Sequence, residues 1–186
     1  MPPLPGLIVA RSKVHGYGLI AARRFAAGEV VVAGDGVLWQ EDDEFVDSHA
    51  LVLPGDNGDP SWPRGDDGEP RDFYYDLVDQ TRWINHSCEP NTSVDARWDA
   101  EAQIVRTWWT ATRDIEVGDE LFYDYAFAAG VAEPCHCGAN GCRGLIVDPD
   151  EVDLLAADLR KLLRLATAAR SEEHTSELQS LRHLVC

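Results

Sequence analysis

The stretch Arg82-Trp83-Ile84-Asn85-His86-Ser87-Cys88-Glu89-Pro90-Asn91 holds one cysteine, Cys88, set apart from the others in the chain. Far downstream, Cys135-His136-Cys137-Gly138-Ala139-Asn140-Gly141-Cys142 places three thiols within eight residues. Tetrahedral zinc takes four ligands, with sulfur at about 2.3 Å, and a closed shell of four thiolates marks a structural rather than a catalytic site. The chain has five cysteines, and Cys186 lies alone at its end. Ligand counting therefore proposes Cys88, Cys135, Cys137 and Cys142 around one ion. His136 is a substitute ligand that strain disfavours, because its neighbours on both sides already bind. Reduced cysteines buried as small hydrophobes are the plainer alternative.

Length and composition set the frame. The 186 residues fit one domain able to bury its own core, and six tryptophans with five tyrosines exclude a low-hydrophobicity disordered chain. No run approaches the apolar length of a membrane span, and Met1 to Val9 lacks the basic start and apolar stretch of a signal peptide. The expected location is cytoplasmic, or nuclear if the source is eukaryotic, where clustered cysteines favour metal over disulfides. A net charge of −17 repels nucleic acid and steers a basic polypeptide inward, so the expected partner is a basic protein, with no direct nucleic-acid binding and no membrane. Acidity that serves solubility alone is the competing account.

Residues Arg170 to Ser180 break the preceding helical pattern and back-translate to a widely used sequencing-library adapter, with Leu184-Val185-Cys186 resembling its continuation. Residues 170–186 are therefore set aside as a non-native scar. They carry two Arg and three Glu, so removing them leaves the remainder at −16.

Along the chain, short β-rich runs at Leu7-Ile8-Val9, Leu19 to Ala22, Glu29 to Ala33 and Val37 to Trp39 are punctuated by glycines. Pro54 to Arg71 is rich in Gly, Pro and Asp, which predicts an exposed acidic inserted loop over 54–71. Further β-rich runs cover Thr92 to Trp98 and Ile104 to Thr112. A turn at Glu116 to Asp119 then leads into Glu120 to Tyr125. One helix is expected over 148–169, with Asp148 as N-cap, Pro149 at its first position and Glu151 completing a capping box. Its apolar stripe is Val152, Leu155, Leu159, Leu162, Leu163 and Ala166.

The Arg82 to Asn91 stretch resembles the SET-domain signature, with Trp83 where Phe is usual, and the cysteine run with Arg143-Gly144 resembles the post-SET segment that follows it. The matching segments span Leu7 to Leu145. The resemblance implies a mainly β fold with few helices, built of short strands and a pseudoknot: a SET domain over 1–127, a post-SET zinc segment over 128–147 and the C-terminal helix. It also implies one structural zinc ion joining Cys88 to the three later cysteines, in agreement with the count made independently.

The same resemblance implies S-adenosylmethionine as cofactor, approached by the backbone of Gly16, Tyr17 and Gly18 and held by Arg82, Asn85 and His86. His136 and Leu145 would flank the adenine. It implies that Glu120 to Tyr125 is the catalytic strand end and that a methyl group passes to a lysine side chain of a protein, with Tyr125 supplying the hydroxyl nearest the transferring methyl and Tyr123 tuning the number of methyl groups added. Tyr74 or Tyr75 would wall the substrate channel. A lysine ammonium, with an ordinary pKa of about 10.4, must lose a proton before it attacks, and desolvation beside a sulfonium favours that loss. The chain departs from the family at Gly34-Asp35-Gly36-Val37, where a channel Tyr is usual, and between Tyr75 and Arg82, which is shorter. Gly34 motivates a second reading, a non-catalytic, zinc-braced SET module that binds peptide. A zinc redox protein is disfavoured because only one Cys-x-Cys is present.

Overall fold

The computed structural model describes residues 5–40, 50–55, 58–65 and 67–155. The chain divides into two compact units, Met1–Tyr125 with Pro134–Ile146, and Ala126–Glu133 with Val147–Cys186. The first holds the strands β1 (Leu7–Arg11), β2 (Tyr17–Ala21), β3 (Val30–Gly34), β4 (Gly36–Gln40), β5 (Ala50–Leu53), β6 (Phe73–Leu77), β7 (Asn85–His86), β8 (Thr92–Asp99), β9 (Ile104–Ala111) and β10 (Phe122–Tyr123). A 3-10 turn at Gln80–Trp83 precedes β7. The protein is mainly β, as its short β-rich runs predict.

Strands β1 and β2 pair antiparallel, β3-β9-β8 and β4-β6-β5 form two three-stranded sheets, and β7 lies parallel to β10. Alternation explains the sheets. In β9, Val105, Thr107, Trp109 and Ala111 point inward, and in β6 Phe73, Tyr75 and Leu77 do so. Successive strand residues face opposite sides, so each run buries one apolar row. Leu19, Phe25, Ile84, Ile115, Leu121 and Trp109 are fully buried and form the centre of the core.

Three sequence expectations are corrected. The inserted segment between β5 and β6 is not wholly exposed: Trp62 is buried in the core, and the Gly55 N–H donates to the Asp72 carboxylate at 3.0 Å. An indole buries enough apolar area to anchor a segment whose Gly, Pro and Asp content favours solvent. Of Glu120 to Tyr125, only Phe122–Tyr123 is strand, while Glu120 makes an isolated bridge to Ile20. In the second unit Asp148 caps as expected, accepting from the Asp150 N–H at 2.8 Å with Pro149 in the first turn, but the capping box does not form. The Asp148 N–H donates instead to the Phe127 carbonyl at 2.8 Å, which frees the Glu151 carboxylate to accept from the Ala129 N–H at 2.6 Å. The expected helix beyond residue 155 and the 170–186 segment lie outside the described residues.

Gly34 ends β3 where no side chain fits. A Cβ there would stand 2.7 Å from Cζ3 of Trp109 and 2.8 Å from Oγ1 of Thr107. The indole from β9 thus takes the room beside the strand, and only glycine allows the approach. Because a rigid ring cannot yield as a flexible chain end does, Gly34→Ala is expected to cost about 1–3 kcal/mol through overpacking. Urea unfolding measures it, and a midpoint at or above the parent's would show that the ring can move aside.

Candidate active site

Asn85 is the hub of the site. Parallel pairing sets Asn85 opposite Phe122 and His86 opposite Tyr123, so the Asn-His pair lies directly beside the strand that leads to Tyr125. The Asn85 amide donates to the carbonyls of His15 at 3.2 Å and Tyr17 at 2.9 Å, and to the Glu120 carboxylate at 2.9 Å. Three acceptors around one nitrogen fix the amide orientation and draw the Gly16-Tyr17-Gly18 backbone onto β7. Gly16 has φ +54, and nothing lies within 4 Å of where its Cβ would be, whereas a Cβ at Gly18 would overlap the Glu120 carboxylate. The open backbone at Gly16, beside buried Asn85 and His86, is the form a ligand-approaching loop requires.

Asn91 locks the same region from the other side. Its amide donates to the Glu120 carbonyl and its oxygen accepts from the Phe122 N–H, each at 2.8 Å, while the Ser87 N–H donates to the Tyr123 carbonyl at 3.1 Å. Segments far apart in sequence are thereby cross-tied. Arg82 places its guanidinium 5.8 Å from the centre of the Trp83 ring, which meets the exposed Tyr17 ring edge-on at 6.0 Å. Arg11 covers the Tyr17 ring at 4.7 Å. Cations over ring faces hold such exposed aromatics in place.

Tyr123 and Tyr125 stand together, ring centroids 4.7 Å apart, and Trp109 meets Tyr123 edge-on at 5.9 Å. The Tyr125 hydroxyl donates to the Ile84 carbonyl at 2.9 Å. Burial pushes the Tyr125 pKa up to about 12 and that of Tyr123 well above the ordinary value. Both hydroxyls are therefore neutral at physiological pH. Tyr75 is a core residue whose hydroxyl donates to the Val105 carbonyl at 3.2 Å, whereas Tyr74 is half-buried on the opposite face of β6.

Cysteines from the two distant segments come together beside His86. Cys88 and Cys135 sulfurs are 3.7 Å apart, and sulfurs bound to one tetrahedral zinc at about 2.3 Å would stand about 3.8 Å apart. Ligand atoms of His86, Cys88, Cys135 and Cys137 all lie within 4.8 Å of one another, and the Cys142 thiol interacts with those of Cys135 and Cys137. Burial opposes ionisation at Cys137, but N–H groups of Cys88 and Ala139 with the Cys135 and Cys142 thiols outweigh it and bring its pKa down to about 6. Burial pushes the Cys135 thiol up to about 12. This donor set fits one structural zinc. The loop is closed by the Cys135 N–H on the Gly144 carbonyl at 3.0 Å and the Gly141 N–H on the Glu89 carboxylate at 2.8 Å. His136 is exposed within it, and Leu145 is half-buried in the short strand that follows.

Glu120, Asn91, Asp124 and Arg143 were not singled out as site residues from sequence. Arg143 donates to the Asp124 carboxylate at 2.7 Å, tying the cysteine segment to the residue before Tyr125. Their signal lay in polar side chains inside or next to the motifs, where buried polar groups need partners.

The SET domain family model matches residues 16–126, and the chain belongs to that family. It is 36% identical over 145 residues to histone-lysine N-methyltransferase 2B of Homo sapiens, covering 73% of this chain and 5% of that protein. It is 32% identical over 150 residues to the H3 lysine-4 specific histone-lysine N-methyltransferase of Yarrowia lipolytica, covering 74% and 12%. Among solved structures it resembles KRYPTONITE in complex with mCHH DNA, an H3(1-15) peptide and SAH, with TM-score 0.58 and 27% identity over 75% of this chain and 29% of that one. The chain thus spans a small part of the relatives' length.

Proposed function

We propose that this protein transfers a methyl group from S-adenosylmethionine to a lysine side chain of a basic protein. The observation that carries the reading is the β7–β10 pairing, which sets the Asn85–His86 pair and its glycine shelf against the Tyr123–Tyr125 strand end. The cofactor would lie along the Gly16–Gly18 backbone, open at Gly16, and the backbone of Asn85 and His86, with Arg82 beside it and His136 and Leu145 available from the cysteine segment. When bound it supplies a methyl on a positively charged sulfur. The relatives named as histone-lysine methyltransferases and the neighbour solved with a histone peptide and SAH support the substrate class. A nuclear setting follows for a eukaryotic source and a cytoplasmic one otherwise.

The residues' part is orientation and desolvation. Tyr123 and Tyr125, ordinarily neutral and kept further from ionising by burial, offer hydroxyls but no base, so lysine loses its proton to solvent before it is aligned. Tyr123 beside the amine limits the room for added methyl groups, and Tyr74 is the better placed of the two candidate wall tyrosines, because Tyr75 is committed to the core. One structural zinc on Cys88, Cys135, Cys137 and Cys142 holds the later segment.

The test mixes purified protein, labelled cofactor and a panel of basic proteins. Label is expected on lysine, and Tyr125→Phe is expected to lower the rate by about 10²-fold, the lower end for losing one preorganised polar group. No transfer to any protein, with cofactor binding intact, would favour a peptide-binding module.

A further inference from the structure

Four ligand atoms converge on the metal centre, and one of them is a histidine nitrogen: His86 Nε2 lies 3.4 Å from the Cys88 sulfur. By proximity alone His86 competes with Cys142 for the fourth ligand position. The other face of the ring decides between them. The Tyr125 backbone N–H points at His86 Nδ1, 3.2 Å away, and a backbone amide can only donate. Asp124 Oδ1 is 3.5 Å from the same nitrogen, farther than the amide and at the outer limit of a hydrogen bond, so the amide sets the role of Nδ1. Nδ1 is therefore an acceptor. A neutral imidazole then carries its one proton on Nε2, which has no lone pair left for a metal and donates to sulfur instead.

We propose that His86 is a positioning residue rather than a metal ligand: its imidazole bridges the Cys88 sulfur on one side and the Tyr125 backbone on the other, coupling the metal centre to the reactive tyrosine. Cys88 receives a second N–H, from the Arg143 backbone at 3.5 Å, and N–H groups directed at a thiolate are what an outer ligand shell supplies. Tyr125 in turn packs edge-on against the His86 ring, centroids 5.3 Å apart. Pulling Cys88 away from its ion would thus turn the imidazole and release the Tyr125 backbone, while its hydroxyl donates to the Ile84 carbonyl. The role of Tyr125 rests on the function proposed above, whereas the bridge itself does not.

The zinc-loaded full chain is examined by long-range proton–nitrogen NMR of its histidine rings. His86 is expected as the neutral tautomer protonated on Nε2. A ring protonated on Nδ1, or one whose Nε2 shows direct metal coordination, would overturn the proposal. In cobalt-substituted protein, parent and His86→Gln are both expected to show the spectrum of four sulfur ligands, and a three-sulfur, one-nitrogen spectrum in the parent would overturn it as well. Metal release to a chelator is expected to accelerate about 10- to 100-fold in His86→Leu, the usual range for a lost outer-shell partner, and to be largely rescued in His86→Gln, which can both accept and donate. The Tyr125 amide signal should shift in the Leu variant and on metal removal. An unmoved amide would refute the coupling. If His86→Leu does not fold, the tautomer of the parent decides alone. None of these readouts needs methyl transfer, so a failed transfer assay would remove the proposed function and leave the bridge standing.

Discussion

Asn85→Asp, an isosteric change, is expected to be at least as damaging as Asn85→Ala and to abolish measurable binding of S-adenosylmethionine. The side chain is almost buried and its nitrogen faces two carbonyls and a carboxylate, all acceptors. Alanine leaves these without a donor, at about 1–3 kcal/mol for each group kept from water, so a loss of about 3 kcal/mol or more is expected. Aspartate adds a second carboxylate against Glu120, and like charges at hydrogen-bonding distance cannot both stay ionised without strain. The Gly16–Gly18 shelf would detach from β7 in both variants. Denaturant unfolding and calorimetric titration with the cofactor measure the two effects. An Asp variant within about 1 kcal/mol of the parent would mean that water reaches these carbonyls, and the hub role would be lost.

That hub was only half legible in the sequence. The motif placed Asn85 by resemblance, but its partners are two backbone carbonyls and Glu120, and nothing in a string of residues says which carbonyls a side chain will meet. Strands β8 and β9 were readable because their β-rich runs are continuous and cover one buried row. β6 was passed over although Phe73, Tyr75 and Leu77 alternate cleanly, because the Gly, Pro and Asp residues just before it dominate local composition. Trp62 was lost inside the same segment for the same reason. The meeting of Cys88 with Cys135 and Cys137 was the most legible part, since ligand number is chemistry and few thiols leave few arrangements, but His86 beside them was not foreseen as a neighbour. The tautomer of His86 could not be read, since it is set by an amide from Tyr125 that only the parallel β7–β10 pairing brings within reach.

Gly34 shows a different limit. Its small size departs from the family at the channel, and the sequence offered that departure as an argument against catalysis. The structure supplies a packing reason, because Trp109 from the neighbouring strand fills the space, lies against Tyr123 and leaves no room for a Cβ. A glycine required by an indole is evidence about the core first. Its bearing on transfer depends on Tyr123, which the same indole buttresses, and on Tyr125 beside it.

Stripping the metal is expected to have the second large effect. Structural zinc in small sites contributes about 10–16 kcal/mol of apparent binding energy at neutral pH, far more than a short segment with few apolar side chains can supply on its own. The 134–146 segment fits that description: Cys135 is its buried apolar residue, and its backbone closure rests on single hydrogen bonds such as Cys135 to Gly144 and Gly141 to Glu89. A strong chelator should therefore release one zinc per chain, expose the thiols of Cys88, Cys135, Cys137 and Cys142 together to a thiol reagent, and open protease sites within 134–146. Cys142→Ser should weaken zinc by more than about a hundredfold, beyond the range for outer-shell changes, because it removes a ligand. The strands β3, β8 and β9 draw their burial from the core and not from the cysteines, so their circular dichroism should persist after chelation. Zinc content, thiol titration and limited proteolysis follow the three losses. Thiols that become reactive one at a time, with no metal released, would mean that the four cysteines never shared an ion.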